Sequence, residues 1–181
     1  LNSDQNCHVT GIDLSGVRVQ NANNTRSTLP HTKQDQLKFE KASATDLPYA
    51  DESFSHVWSQ AVIYHVPDKD TTLAEVYRVL EKGGIFVFDD LIKPQPVISD
   101  DAQRYVYDRL LYDTPFNFES YQEALKSKGF EIIEAHDISE HIKQSYLRLS
   151  ERTPAAEGEH AEHYAWLSTA YKETARAVDN Q

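Results

Sequence analysis

The chain of 181 residues contains no methionine and a single cysteine, Cys7. One thiol excludes an internal disulfide and suits a reducing cytoplasm. The missing methionine points to a start inside a longer gene product. Positive charge is scarce: 18 Lys and Arg stand against 29 Asp and Glu, for a net charge of −11. No basic stripe with interleaved aromatics is present, so no nucleic-acid partner is expected. No apolar run reaches the ~20 residues of a membrane-spanning helix. The opening Leu1-Asn2-Ser3-Asp4-Gln5-Asn6 is unlike a signal peptide. A cytoplasmic protein without membrane contact is therefore expected. His136, His141, His160 and His163 form no convincing ligand set, so no metal is expected.

What is present is a regular alternation of short apolar runs and helical patterns. Residues 8–14 predict a strand, and Ser15 predicts the cap of a helix over 16–27 that packs through Val17, Val19 and Ala22. Asn21, Asn23 and Asn24 weaken its end, and Pro30 stops it. Leu37–Ala42 and Phe54–Ser59 predict strands, the second buried through Val57 and Trp58. Leu73, Val76, Tyr77 and Leu80 predict a helix over 70–81, closed by Gly83-Gly84. Ile85–Phe88 is apolar enough for a strand buried on both faces. Further on, Ser99 opens a helix carrying Ala102, Tyr105, Val106 and Leu110, and Asn117 and Gly129 bound another. Phe130–Ala135 predicts a strand, and two helices over 140–152 and 158–179 follow around Pro154. The natural division is an α/β core over 1–139 and a helical segment over 140–181.

Such alternation predicts a mostly parallel, doubly wound Rossmann-like sheet with helices on both faces. Ligands in such sheets bind beyond the carboxyl ends of strands. Asp13, Asp46, Ser59-Gln60 and Asp89-Asp90 all fall at or just after such ends. Two acceptor-only carboxylates there suit ribose hydroxyls and an adenine amino group. Plainer readings exist for each: Asp13 as a helix-start acid beside Ser15, Asp46 as a turn residue before Pro48, Asp89-Asp90 as a strand-end turn.

Three segments carry a more specific pattern: Val-Thr-Gly-Ile-Asp-Leu-Ser (9–15), Ala-Thr-Asp-Leu-Pro-Tyr-Ala-Asp-Glu-Ser-Phe-Ser-His-Val (44–57) and Ala-Glu-Val-Tyr-Arg-Val-Leu-Glu-Lys-Gly-Gly-Ile-Phe-Val-Phe-Asp-Asp (74–90). With Tyr-Gln-Glu-Ala-Leu-Lys-Ser-Lys-Gly-Phe (121–130) they resemble the class I S-adenosylmethionine-dependent methyltransferases. Trp-Ser-Gln (58–60), Tyr-His-Val-Pro-Asp-Lys (64–69) and the long tail look most like the sarcosine/dimethylglycine N-methyltransferases, with ubiquinone-type enzymes next. The resemblance implies S-adenosylmethionine as cofactor and a small-molecule methyl acceptor, and leaves a homo-oligomer open. It implies that Asp13, with Leu14 beside it, takes the ribose hydroxyls. Asp46 takes the adenine amino group, and Leu47 flanks the ring. Ser59 and Gln60 lie near the methionine moiety, and His65 lines the acceptor pocket as the catalytic residue.

The chain departs from the family pattern in three places. The glycine-rich loop and first strand that should precede Asp13 are absent, and so is the final strand. Without them the family sheet divides into a pair formed by its second and third strands, a pair formed by its fourth and fifth, and an isolated sixth. The bare chain is therefore expected to bind S-adenosylmethionine poorly. Third, relatives acting on small amines often carry an acid where this chain has Ala61. Tyr105, Tyr107, Tyr112 and Tyr121 are candidates to hold a methylated ammonium instead. Two competing readings are a degenerate module that works through assembly, and a nicotinamide enzyme that rests on Asp13 alone.

Overall fold

The computed structural model describes residues 7–93, 98–111, 114–153 and 160–179. Tyr112 and Pro154, singled out above, lie outside them. The elements are β1 (Val9–Asp13), α1 (Gly16–Ser27), α2 (His31–Gln34), β2 (Leu37–Lys41), β3 (Phe54–Gln60), a 3-10 turn (Ile63–His65), α3 (Lys69–Val79), β4 (Leu80–Asp89), α4 (Asp100–Ala102), a π-helical segment (Gln103–Asp108), α5 (Phe118–Ser127), α6 (Ser139–Arg152) and α7 (Ala161–Asp179). Among the described residues the strands form two two-stranded sheets, β1 with β2 and β3 with β4. The two expected strand pairs are therefore present, and the expected isolated strand is not among the described residues. No described helix is long and apolar enough to cross a membrane.

The chain falls into two compact units, one running to Val57 and including Ala74–Phe86, the other comprising Trp58–Leu73 and the chain from Val87 onward. In the first, β1 and β2 run parallel, with Val9 opposite Leu37 and Asp13 opposite Lys41. Ser15 caps α1, accepting from the Arg18 N–H at 3.4 Å. The helix presents Val19, Ala22, Asn23 and Arg26 inward, whereas Val17 is exposed rather than packed. Asn23 is less a weakness than a tie: its amide donates to the Val19 and Phe39 carbonyls, each at 3.1 Å.

The second unit packs around Tyr64 and Val106, with Leu91, Tyr107, Leu110 and Ala177 against them. Ile63, Leu73, Leu125, Ala170 and Ala175 are also buried. Asn117 and Ser120 cap α5 reciprocally, and Gly129 beyond its end adopts φ 103°.

Three expectations need correction. The helix over 70–81 ends at Val79, and the Gly83-Gly84 pair lies inside β4, with Gly83 at φ 78°. Phe130–Ala135 forms no strand, and Ile133 is 78% exposed. An apolar run needs a ladder partner, and none of the described strands supplies it one. Finally, neither β3 nor β4 is buried on both faces: Trp58 is 70% and Val87 56% exposed. Both faces of a strand are buried only where helix layers cover them, and these side chains stand in solvent.

Gly84 is fixed by space. A Cβ there would lie 2.9 Å from the Glu81 carbonyl oxygen and 3.1 Å from that of Ser55, both backbone atoms. Gly84→Ala is expected to destabilise the fold by about 1–3 kcal/mol, the cost of overpacking a rigid contact, read by denaturant unfolding.

Candidate functional site

In the first unit the parallel β1–β2 pair sets the geometry. The Ala42 N–H donates to the Asp13 carbonyl at 3.3 Å, so the chain leaves β2 beside the end of β1. It then turns through a short bridge between Ser43 and Asp46. Asp13 and the turn carrying Asp46 therefore leave the same end of the ladder. Asp13 Oδ1 accepts from the Ser15 N–H at 2.8 Å, and Oδ2 lies 3.7 Å from the exposed Arg18. The helix-start role is thus real, and it still leaves lone pairs on Oδ2. Leu14, beside it, is 65% exposed. The exposed Asp46 carboxylate has no hydrogen-bond partner among the described residues. Leu47 is half-buried.

The loop after Asp46 is held by groups that sequence reasoning missed. Leu47 donates its N–H to Glu75 Oε2 at 2.8 Å, and its carbonyl accepts from Arg78 Nη2 at 3.0 Å. Arg78 Nη1 donates to the Tyr49 carbonyl at 2.7 Å and to Asp51 Oδ1 at 2.9 Å. Nε and Nη2 grip the two oxygens of Glu75 at 2.7 and 2.8 Å. Those contacts occupy all five guanidinium N–H groups. The Arg78 side chain holds the Glu75 carboxyl below its ordinary range. Tyr49 adds a hydrogen bond from its hydroxyl to Glu40 and an edge contact with Phe54 at 4.9 Å between ring centres. The visible signal was Glu75 and Arg78 three apart on one helix.

The second unit holds Ser59, Gln60 and His65. Ser59 is half-buried and Gln60 exposed at the end of β3. Ala61 follows at φ 48°, a left-handed conformation costly for a residue with a Cβ, and donates its N–H to the Asp89 carbonyl at 2.9 Å. His65 is exposed at the end of the 3-10 turn. Its ring centre lies 3.9 Å from that of Tyr64, and Nδ1 lies 3.4 Å from the Leu111 carbonyl. With the proton on Nδ1, Nε2 is left as an acceptor.

Asp90 anchors that turn. Its Oδ1 accepts from the Tyr64 N–H at 3.0 Å and its Oδ2 from the Tyr121 hydroxyl at 2.9 Å. Burial pushes its carboxyl above the ordinary value, against the pull of these bonds and of the Lys69 charge. The buried Lys69 ammonium donates to the Tyr64 and Val66 carbonyls at 3.2 and 2.8 Å.

Three of the four candidate tyrosines, Tyr105, Tyr107 and Tyr121, are otherwise engaged. Arg104 sits over Tyr105 at 5.3 Å and Lys93 over Tyr107 at 5.4 Å. Tyr121 is buried, with its ring centre 4.5 Å from that of Phe116. Among the described residues no three His, Cys, Asp or Glu side chains are grouped to hold a metal ion.

Residues 1–88 match the family described as "Methyltransferase domain". That match places residues 1–88 in the class I S-adenosylmethionine-dependent methyltransferases. Within that class it is 33% identical over 157 residues to the glycine/sarcosine/dimethylglycine N-methyltransferase of Actinopolyspora halophila, covering 84% of this chain and 26% of that protein. It is 32% identical to the 27-O-demethylrifamycin SV methyltransferase of Amycolatopsis mediterranei, over 80% of this chain and 53% of that protein. The chain thus spans about half or less of these relatives. In three dimensions it is similar to phosphoethanolamine N-methyltransferase 2 of Haemonchus contortus, with TM-score 0.80, 22% identity, and coverage of 96% of this chain and 41% of that one. That likeness speaks for the fold alone.

Proposed function

We propose that the full-length protein transfers a methyl group from S-adenosylmethionine to a small amine, of the kind represented by sarcosine or dimethylglycine. The observation that carries the donor half is the placement of Asp13 and Asp46 at one end of the β1–β2 pair. The donor set fits the group. Asp13 Oδ2 can accept from ribose hydroxyls while Oδ1 stays on Ser15, and the Asp46 carboxylate can accept from an adenine amino group. Leu14 and Leu47 flank these acids with apolar surface, and we assign Ser59 and Gln60 to the methionine end.

When bound, the cofactor supplies an electrophilic sulfonium methyl group. His65 is the residue we assign to the acceptor, with Nε2 taking the proton of the ammonium form so that the freed nitrogen lone pair can attack the methyl group as its bond to sulfur breaks. The amine reading is supported by the 33% identity to the glycine/sarcosine/dimethylglycine N-methyltransferase.

Incubating full-length protein with S-adenosylmethionine and either sarcosine or dimethylglycine should release S-adenosylhomocysteine and yield the N-methylated product. Turnover with hydroxyl acceptors and none with these amines would replace the amine reading by an O-methyl one. His65→Phe should lower kcat by about 10²-fold, the typical contribution of a positioned proton acceptor. The KM for the cofactor should stay unchanged.

A second reading has one observation behind it. Among the described residues each of the four strands has a single strand neighbour, which leaves edges for pairing with another chain. Sedimentation of the 181-residue chain separates the readings: strict monomers remove the support for assembly.

A further inference from the structure

We infer that Glu75 and Arg78 are positioning residues for cofactor recognition: the pair sets where Asp46 and Leu47 stand without touching the cofactor. The inference rests on the adenine role proposed for Asp46. Residues 46–53 form no helix or strand, and their local hydrogen bonds are few: the Asp46 N–H to the Ser43 carbonyl at 3.2 Å, the Tyr49 N–H to the Leu47 carbonyl at 2.8 Å and the Ser53 hydroxyl to the Ala50 carbonyl at 2.6 Å. A loop so built depends on outside partners for its position.

Those partners come from one turn of α3. Leu47 is gripped on both sides of its Cα, its N–H by Glu75 and its carbonyl by Arg78. The peptide unit joining Asp46 to Leu47 contains that N–H, so its plane is fixed and the Cα of Asp46 with it. Arg78 then reaches forward to the Tyr49 carbonyl and Asp51. The loop closes the arrangement by donating the Glu52 and Ser53 N–H groups to the last carbonyls of α3, those of Arg78 and Val79, each at 2.9 Å.

The chemistry demands this residue pair. Only a planar fork with five donors can serve two main-chain carbonyls and two carboxylates at once. Lysine offers three donors from one atom. Only a carboxylate has two acceptor oxygens, to take Nε and Nη2 of the guanidinium together with the Leu47 N–H. The pair therefore trades a surface ion pair's small energetic worth for geometric control of the loop.

The test compares full-length wild type, Arg78→Lys, Glu75→Gln and Asp46→Asn. Amide hydrogen exchange over residues 46–53 reads the grip directly and needs no cofactor. It should quicken about 10-fold or more in Arg78→Lys, with residues 69–76 of α3 as protected as before. Binding of S-adenosylhomocysteine and of its 6-oxo analogue, S-inosylhomocysteine, reads the positioning. An acceptor carboxylate favours the amino compound and repels the oxo one. In Arg78→Lys and Glu75→Gln affinity for the amino compound should fall about 10-fold, a loss of ~1.4 kcal/mol. Affinity for the oxo compound should stay within about twofold, so the preference shrinks; general destabilisation would lower both alike. If Asp46→Asn abolishes the preference while the Glu75 and Arg78 variants keep it, the positioning role is overturned and the adenine reading stands. If Asp46→Asn keeps the preference, the adenine reading fails and takes this inference with it. Should Arg78→Lys not fold, Glu75→Gln alone decides.

Discussion

Asp13→Ala is expected to weaken binding of S-adenosylhomocysteine to the full-length protein by about 10²-fold or more. Two ribose hydroxyls donating to one carboxylate make two charge-assisted hydrogen bonds, each worth about 1.5–3 kcal/mol. Their loss is a factor of roughly 10² to 10⁴ at ~1.4 kcal/mol per decade. The substitution also removes the acceptor of the Ser15 N–H at the start of α1. That contact is a neutral N–H on a half-exposed acid, so the cost in stability is about 1 kcal/mol. The two effects separate by measurement: calorimetric titration reads the first and thermal unfolding the second. Asp13→Asn sharpens the contrast, since its carbonyl oxygen still takes the Ser15 N–H while its charge is gone. It should unfold like wild type and still bind at least 10-fold more weakly. Affinities within threefold of wild type in both variants would leave Asp13 a helix-start acid and nothing more.

The parts of this fold that were legible from the residues are those decided locally. Ser15 stands before the first turn of α1 with no competing signal, and Asn117 with Ser120, then Gly129, bracket α5. Asp13 was found because an apolar run ends there, and a run's end is a one-dimensional fact. What could not be read depends on neighbours distant in sequence. The exposure of Trp58 and Val87 reflects which strands flank β3 and β4, and nothing within either strand encodes that. Gly83-Gly84 looks like a helix stop because glycine fits helix ends, yet both lie within β4, where Gly83 takes φ 78°. The grip of Arg78 was invisible for a plainer reason. Three of its five bonds go to main-chain carbonyls or to a residue of the loop, and main-chain acceptors have no residue type to recognise. Asp90 was visible as half of an acidic pair. Its separation from Asp89 in function comes from burial, which composition does not reveal.

Asp90→Ala should destabilise the protein by about 3 kcal/mol, and Asp90→Asn by far less at neutral pH. The alanine leaves the Tyr64 N–H and the Tyr121 hydroxyl facing a void, and a buried donor without its acceptor costs about 1–3 kcal/mol. Asparagine keeps an acceptor for Tyr64 and places an amide against a hydroxyl that can accept as well as donate. The pH dependence distinguishes charge from shape. Burial raises the folded carboxyl's affinity for its proton above the ordinary value near 3.8. The protonated form is thus favoured in the folded state. Its stabilising contribution is fully present below the ordinary value and is lost as pH rises through the folded one. Asparagine does not titrate, so the stability of Asp90→Asn relative to wild type should improve as pH climbs through that window and level off above it. Denaturant midpoints measured across the acid-to-neutral range give the answer. A gap between Asp90→Asn and wild type that stays flat with pH would mean that the folded protein does not disfavour the Asp90 charge. A difference under about 1 kcal/mol for Asp90→Ala would mean that the Tyr64 turn, and His65 with it, is held by packing alone.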